Sequence, residues 1–304
     1  MMPRGAIAIA LGCYCMGQVA RASRRHAVPD AVHRHTRGGA GDAGDAYVSH
    51  LTPAFVECMR HVCKHLPINP SSGRFAVHHY EAQTGQWNED IRFEPFEPEL
   101  AAAPMIVDAG GNTNAADSLT FKRLYPHASV HVYEPVAEYA ATLRAALAHT
   151  DIAVHAVGLG SQPRNISYQP DQLAGESTFV MEGYDNTAAR DDVQQRPDSG
   201  TLAIVDGATE ILDLLKGAAR DRVDVVHLNC EGCEWELLQR LADGGVLPRV
   251  ATLQVSFHNY GKAGIGDLLP KYCLIHEKLK RTHALVKGVP FGWERWTLKG
   301  QGRE

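Results

Sequence analysis

Three features that are scarce in this sequence exclude whole classes of protein. No apolar run reaches the ~18 residues that a membrane-spanning helix needs, which excludes a multi-span membrane protein. The formal net charge of −5 provides no global basic field that would gather nucleic acid, so no nucleic-acid partner is expected. The seven cysteines are an odd number and few for 304 residues, unlike the dense disulfide framework of small secreted proteins.

Acidic residues are also missing from the first 29 positions, which contain four arginines and a short apolar run over 6–16. This composition is typical of a targeting peptide, and a flexible N-terminal extension explains it as well. Localisation therefore stays open, with the cytoplasm as the expectation if no targeting occurs. The Gly-rich residues 36–46 indicate a linker, so we assign 1–46 to a flexible or targeting segment and 47–103 to an appendage of helix and loops.

From residue 104 onward, predicted strands alternate with predicted helices. Strands are predicted at 105–108, 129–133, 152–157, 223–228 and 250–257, and a last pair at about 282–287 and 293–298. Helices are predicted at 115–125, 136–149, 208–215, 234–243 and 266–281, and a long polar segment precedes the third of them. The pattern predicts a doubly wound α/β fold over 104–300, with a mostly parallel sheet and a C-terminal antiparallel hairpin.

The first predicted strand runs into a turn that contains Asp108, Gly110, Gly111 and Asn112. Glycine lets the backbone approach a ligand closely, and the helix that follows offers free N–H groups. Glu134 closes the second strand, where an acidic side chain accepts hydrogen bonds from ribose hydroxyls in nucleotide-binding α/β folds. These five residues predict a site for an adenosine-type cofactor.

The acid at the start of this turn distinguishes between two cofactors. The dinucleotide fingerprint needs three glycines around a diphosphate, and the turn here begins with an acid and has no third glycine. Asp108 would repel a diphosphate, but it would attract the ammonium group of S-adenosylmethionine. The residues therefore favour S-adenosylmethionine, and an NAD-dependent Rossmann oxidoreductase is the alternative.

Five motifs follow one another in a characteristic order. They are Asp108-Ala-Gly110-Gly-Asn112, Tyr133-Glu134-Pro135, Ala156-Val-Gly158, Ser177-Thr178 and Leu228-Asn229-Cys230-Glu231-Gly232-Cys233-Glu234-Trp235. In this order they resemble the FkbM-type S-adenosylmethionine-dependent methyltransferases, over about residues 104–298. The resemblance implies a class I methyltransferase fold and transfer of the sulfonium methyl to a hydroxyl oxygen of a small metabolite or a glycan.

The chain departs from the family pattern at Asn229, where the family usually has an aspartate before Glu-Gly-x-Glu. If that aspartate acts through its charge, this chain lacks the function it serves. A methyltransferase fold that binds cofactor or glycan without chemistry is therefore a second alternative.

Two residues near the ends of later strands are candidates for the acceptor side of the site. Glu231 follows the fourth strand and His258 ends the fifth, so both are expected at the sheet edge where α/β proteins bind ligands. A histidine there could take the proton from a hydroxyl nucleophile, and a purely structural histidine is the competing interpretation. Glu234 is either part of this site or a helix cap.

The cysteines and histidines offer two weaker patterns. Cys230 and Cys233 form a C-x-x-C that fits either a redox pair or two small buried residues, and we favour the latter. Cys58, His61 and His65 have metal-ligand spacing, but no further ligand is identifiable in the sequence, so no metal is predicted.

Overall fold

In the computed structural model the chain divides into two units, residues 1–83 with 263–277 and residues 84–262 with 278–304. The structure describes residues 57–58, 62, 89–96, 99–168, 200–258, 265–288 and 290–300. The predicted N-terminal segment 1–46 and the Ser177-Thr178 motif lie outside the described residues. The predicted division at residues 46 and 103 stays a prediction.

The second unit contains a seven-stranded sheet in the order β3-β2-β1-β7-β8-β10-β9. Its strands are β1 (Met105–Ala109), β2 (Ser129–Tyr133), β3 (Ala153–His155), β7 (Val223–Leu228), β8 (Val250–Ser256), β9 (His283–Gly288) and β10 (Trp293–Leu298). The first five of the spatial order pair in parallel, whereas β10 is antiparallel to both of its neighbours. The prediction of a mostly parallel α/β sheet with an antiparallel C-terminal hairpin is confirmed, and the structure is compatible with a Rossmann-like fold.

Five helices are described at the positions where the sequence predicts them, and most of the last one belongs to the first unit. They are α1 (Ala116–Leu124), α2 (Ala137–Ala146), α3 (Gly207–Gly217), α4 (Glu234–Asp243) and α5 (Ile265–Thr282). Among the described helices, none is both long and apolar enough to cross a membrane.

The centre of the sheet is covered on both faces. Every residue of β1, β7 and β8 is buried, which explains why these strands are nearly continuous apolar runs rather than alternating ones. Phe96, which precedes the predicted domain, is buried in the same core cluster as Ile106, Phe121 and Val225. The described residues just before 104 therefore contribute to the core of the α/β unit.

A second, three-stranded sheet was not predicted. It has the order β4-β6-β5, with β4 (Gly158–Gly160), β5 (Arg164–Tyr168) and β6 (Gly200–Asp206). The prediction of a long polar segment in this region is wrong for the residues that form these three strands. β4 has only three residues and gives too short a pattern, whereas the apolar run 202–205 of β6 was a signal for a strand that the prediction did not use.

The strand order determines where a ligand would bind. The chain proceeds from β1 to β2 and β3 on one side, and then returns to place β7 and β8 on the other side of β1. In open α/β sheets, the crevice beyond the carboxyl ends of the strands at such a reversal is the usual ligand site. That crevice lies beyond the carboxyl ends of β1 and β7.

Candidate functional site

The turn after β1 joins the ends of three strands. Gly110 and Gly111 donate backbone hydrogen bonds to the Tyr133 carbonyl at the end of β2, over 3.0 and 3.2 Å. On the other side, the Asn229 N–H donates to the Ala109 carbonyl over 2.9 Å. Gly110 has φ +106°, and a Cβ there would lie 1.9 Å from the carbonyl oxygen of Asn229. Only glycine fits this position, and the reason is the Asn229 backbone; the predicted close approach of a ligand stays a prediction.

Glu134 is held by two backbone donors at the carboxyl end of β2. Its Oε2 accepts a hydrogen bond from the Asn112 N–H and its Oε1 one from the Val136 N–H, both over 2.8 Å. Burial raises the pKa of Glu134 from 4.5 to about 7, and the two N–H donors oppose this. Each oxygen keeps lone-pair capacity for a further donor, such as a ribose hydroxyl.

Asp108 presents an unsatisfied oxygen. The side chain is 1% exposed, and its Oδ2 accepts a hydrogen bond from the Ser118 hydroxyl. Its Oδ1 is buried and has no hydrogen-bond partner among the described residues. Burial raises the pKa of Asp108 from 3.8 to about 6; the charge of His227 opposes this rise, and that of Asp117 adds to it. A buried carboxylate oxygen without a donor is costly, so the position fits a cationic ligand group.

A cavity of about 190 Å³ brings the predicted cofactor residues together. Its lining includes all five of them, Asp108, Gly110, Gly111, Asn112 and Glu134, and also Glu231. Apolar side chains form part of its wall, namely Val136, Leu159 and Ile204. The cavity therefore combines acidic side chains, the glycine turn and an apolar wall, and such a mixture of polar and apolar groups is typical of a small-molecule site.

Two residues of this cavity were missed by sequence reasoning. Arg92 Nη1 lies 2.7 Å from Asp117 Oδ1, and both residues line the cavity. Asp117 Oδ2 also lies 3.0 Å from His227 Nε2 and accepts a long contact of 3.4 Å from the Asn229 amide. Burial opposes ionisation of Asp117, but the hydrogen bond and charge of His227 together with Arg92 lower its pKa to about 2.

The sequence could have pointed to Asp117, because it is an acidic residue in the first turn of the helix that follows the glycine turn. The signal for Arg92 was absent. It lies in a 3₁₀ turn, Glu89–Arg92, outside every motif.

The two predicted acceptor-side residues come together. Glu231 Oε1 lies 3.7 Å from His258 Nε2, and Glu234 Oε1 lies 3.2 Å from His258 Nδ1. Burial lowers the pKa of His258, whereas the neighbouring carboxylates, first Glu234 and then Glu231, raise it. The carboxylates prevail, so the pKa lies above its usual value. In the described part of the chain the cavity lining includes Glu231 but not His258. A histidine placed between two carboxylates holds them by charge, and its predicted catalytic role stays a prediction.

Glu234 has a positioning role in the loop between β7 and α4. The side chain is fully buried, and its carboxylate accepts hydrogen bonds from the backbone N–H groups of Gly232 and His258, over 3.0 and 2.6 Å. Glu234 therefore links the residues that follow β8 to the loop that contains Glu231.

The preferred interpretation of Cys230 and Cys233 as small buried thiols is wrong. The two residues form a disulfide with a Cα–Cα distance of 5.5 Å, within the range that a disulfide requires. A second disulfide, Cys58–Cys273, lies in the other unit. His61 and His65 lie outside the described residues. The sulfurs of Cys230 and Cys233 and a carboxylate oxygen of Glu234 lie within 4.8 Å of one another, but disulfide sulfurs are not thiolate metal ligands.

No protein-family model matches this chain, and no curated protein matches it significantly. The resemblance stated above therefore remains an interpretation of the motifs. Any function must be argued from the chemistry of the site, because a fold hosts many functions.

Proposed function

We propose that this protein is an S-adenosylmethionine-dependent methyltransferase of class I, similar to the FkbM type. The proposed reaction transfers a methyl group to a hydroxyl oxygen of a small metabolite or a glycan. The observation that carries the proposal is the buried, unsatisfied Asp108 Oδ1 at the floor of the cavity beside the Gly110 turn.

The charge of the cavity floor favours this cofactor over NAD. Asp108 and Asp117 both line the cavity that contains the turn where a dinucleotide would place its diphosphate. The Asp108 carboxylate repels a diphosphate and attracts the ammonium group of S-adenosylmethionine, whereas the charge of Asp117 is compensated by Arg92 and His227. The residues present fit that cofactor.

Each part of the cofactor has a matching group in the cavity. Asp108 would hold the ammonium group and Arg92 the carboxylate of the methionine moiety, since a guanidinium suits a carboxylate geometrically. Glu134 would accept hydrogen bonds from the ribose, and the apolar wall at Leu159 and Ile204 suits the adenine ring. Gly110 and Gly111 let the turn pack closely against the Asn229 backbone and against Val132 and Leu143, which holds the turn at the cavity.

The strand order is consistent with this class of fold. The order β3-β2-β1-β7-β8 places the cofactor turn next to the reversal point, and the C-terminal hairpin puts the antiparallel strand β10 between β8 and β9. The resemblance implies a parallel sheet closed by such a hairpin.

In this proposal the bound cofactor supplies an electrophilic methyl group on a positively charged sulfur. The chain then has two tasks, which are to position the acceptor hydroxyl in line with that group and to accept its proton. Glu231 lines the cavity and is the carboxylate placed to accept the proton. His258 holds Glu231 in place through the 3.7 Å contact.

Calorimetry with S-adenosylhomocysteine and with NAD tests the proposal directly. We expect micromolar or tighter binding of the thioether and none of NAD. Tight NAD binding without any response to S-adenosylhomocysteine would overturn it. Transfer of a radiolabelled methyl group into a metabolite or glycan pool, followed by mass spectrometry, would then identify the acceptor class.

Asn229 gives a specific reason to consider the binding module as a second candidate. Its amide contacts Asp117 in the cavity wall, where the family's aspartate would bring two carboxylates together. If the wild-type chain binds S-adenosylhomocysteine but transfers no methyl group, the module is favoured. A gain of transfer in Asn229→Asp would show that the departure matters.

A further inference from the structure

The Cys230–Cys233 disulfide forms part of the cavity wall, and the proposed reaction gives it no task. Both cysteines line the cavity, and they enclose Glu231 and Gly232. Glu231 has φ +55°, in the left-handed region that a glutamate rarely adopts, and Gly232 has φ +111°. The disulfide thus closes a four-residue ring around the candidate acceptor-side carboxylate.

We propose that this disulfide is a redox-active site, reduced by thiols such as glutathione or a protein dithiol, and that its state sets the affinity of the cavity for the cofactor. The part of the proposal that concerns the cofactor rests on the proposed function. The thiol exchange and its structural effect do not.

The exchange can begin at Cys230, which is half-buried at the cavity wall, whereas Cys233 is only 4% exposed. An incoming thiolate forms a bond to Cys230 Sγ, the disulfide bond breaks, and Cys233 leaves as a thiolate that takes up a proton. A second thiolate then attacks the mixed disulfide at the sulfur of the first reagent and releases Cys230. Two thiols are oxidised to one disulfide, and the protein pair gains two electrons and two protons.

The surroundings suit both oxidation states. Cys233 directly precedes α4, so the helix dipole stabilises it as the leaving thiolate. Glu234 Oε2 lies 3.4 Å from Cys230 Sγ and can accept a hydrogen bond from the Cys230 thiol after reduction.

The loop is in direct contact with the cofactor turn. A Cβ on Gly110 would lie 1.9 Å from the Asn229 carbonyl oxygen and 3.2 Å from the Cys230 Cα, so the two backbones pack without spare room. The Asn229 N–H also donates to the Ala109 carbonyl. Opening the ring frees Glu231 from its left-handed conformation, and the shift of Cys230 is transmitted to the turn. Reduction therefore weakens cofactor binding.

Calorimetry of the full chain with S-adenosylhomocysteine, oxidised and after dithiothreitol, measures the effect. We expect reduction to weaken binding about tenfold, because the disulfide no longer holds Glu231 in its left-handed conformation and the binding form of the loop is less populated. The double variant Cys230→Ser/Cys233→Ser should bind S-adenosylhomocysteine with the affinity of the reduced wild type, and dithiothreitol should not change that affinity. The matched control Cys58→Ser/Cys273→Ser removes the other disulfide and should still respond. Equal affinity in both states, with opening of the pair verified by mass spectrometry, would overturn the proposal, and so would a response that disappears with Cys58→Ser/Cys273→Ser.

Hydrogen exchange separates this inference from the proposed function. On reduction, we expect faster amide exchange in peptides covering 108–112 and 229–234, whether or not any ligand binds. If S-adenosylhomocysteine binds neither form while exchange accelerates, the cofactor assignment fails and the redox site stands. Unchanged exchange after verified reduction refutes the redox site itself.

Discussion

Replacing Asp108 with asparagine should make the protein more stable against unfolding while impairing ligand binding. The pKa of the buried carboxyl is raised from 3.8 to about 6, with burial as the main cause. At pH 7 the group is ionised in both states, and this pKa difference costs the folded state about 3 kcal/mol. The asparagine side chain avoids that cost and still accepts from Ser118, but it buries an unpaired amide at about 1–3 kcal/mol.

The pH dependence isolates the carboxyl from the amide. Below pH 3.8 the carboxyl is protonated in both states and contributes nothing. As pH rises through 3.8 the unfolded chain ionises first, so the wild type loses stability until the folded carboxyl ionises near pH 6. The free energy of unfolding of Asp108→Asn relative to wild type should therefore rise by about 2 kcal/mol between pH 4 and pH 7.

Urea unfolding followed by tryptophan fluorescence, at several pH values, measures this difference. Asp224→Asn is the matched control. Asp224, in β7, is buried like Asp108, but its carboxylate accepts hydrogen bonds from the Met105 N–H and from Arg220, over 2.7 and 2.6 Å. The control should lose stability at pH 7 and keep its affinity for S-adenosylhomocysteine. For Asp108→Asn that affinity should fall about 30-fold or more, as for loss of one partner of a buried charge pair. A flat pH dependence, or binding equal to wild type, would refute the reasoning.

Three further outcomes follow from the same site. Gly110→Ala should lower the free energy of unfolding by about 2 kcal/mol or more and abolish ligand binding, because its Cβ would meet backbone at 1.9 Å. The control Gly217→Ala has open space around the new Cβ and should be neutral or stabilising in a melting experiment. Glu134 ionises at about pH 7 because burial raises its pKa, so affinity for S-adenosylhomocysteine should rise as pH increases through 7, and a calorimetric series on Glu134→Gln should lose that rise. His258→Gln should lower kcat about tenfold or more with the affinity for S-adenosylhomocysteine unchanged, since His258 contacts Glu231 and does not line the described cavity; a kcat equal to wild type would remove His258 from the mechanism.

The sequence by itself determined the strands of the seven-stranded sheet, the described helices and the glycine turn after β1. Strand β2 begins and ends at the predicted residues 129 and 133, and β7 at 223 and 228, because apolar runs and turn residues are local signals. The glycine turn after β1 was likewise visible from its place after a strand, although its packing against Asn229 was not. All five predicted cofactor residues belong to two strand ends that any parallel pairing of β1 with β2 brings together.

Only the tertiary structure decided which distant groups complete the site. The pairing of Arg92 with Asp117, the contact of Asp117 with Asn229 and the lack of a donor for Asp108 Oδ1 all depend on segments that are up to 112 residues apart. The same holds for the Cys230–Cys233 bond, where a C-x-x-C permits either thiols or a disulfide and the backbone of the loop decides the distance. Local periodicity specifies which residues face a core, but the position of a polar atom relative to its partners is determined by how the strands are ordered and packed.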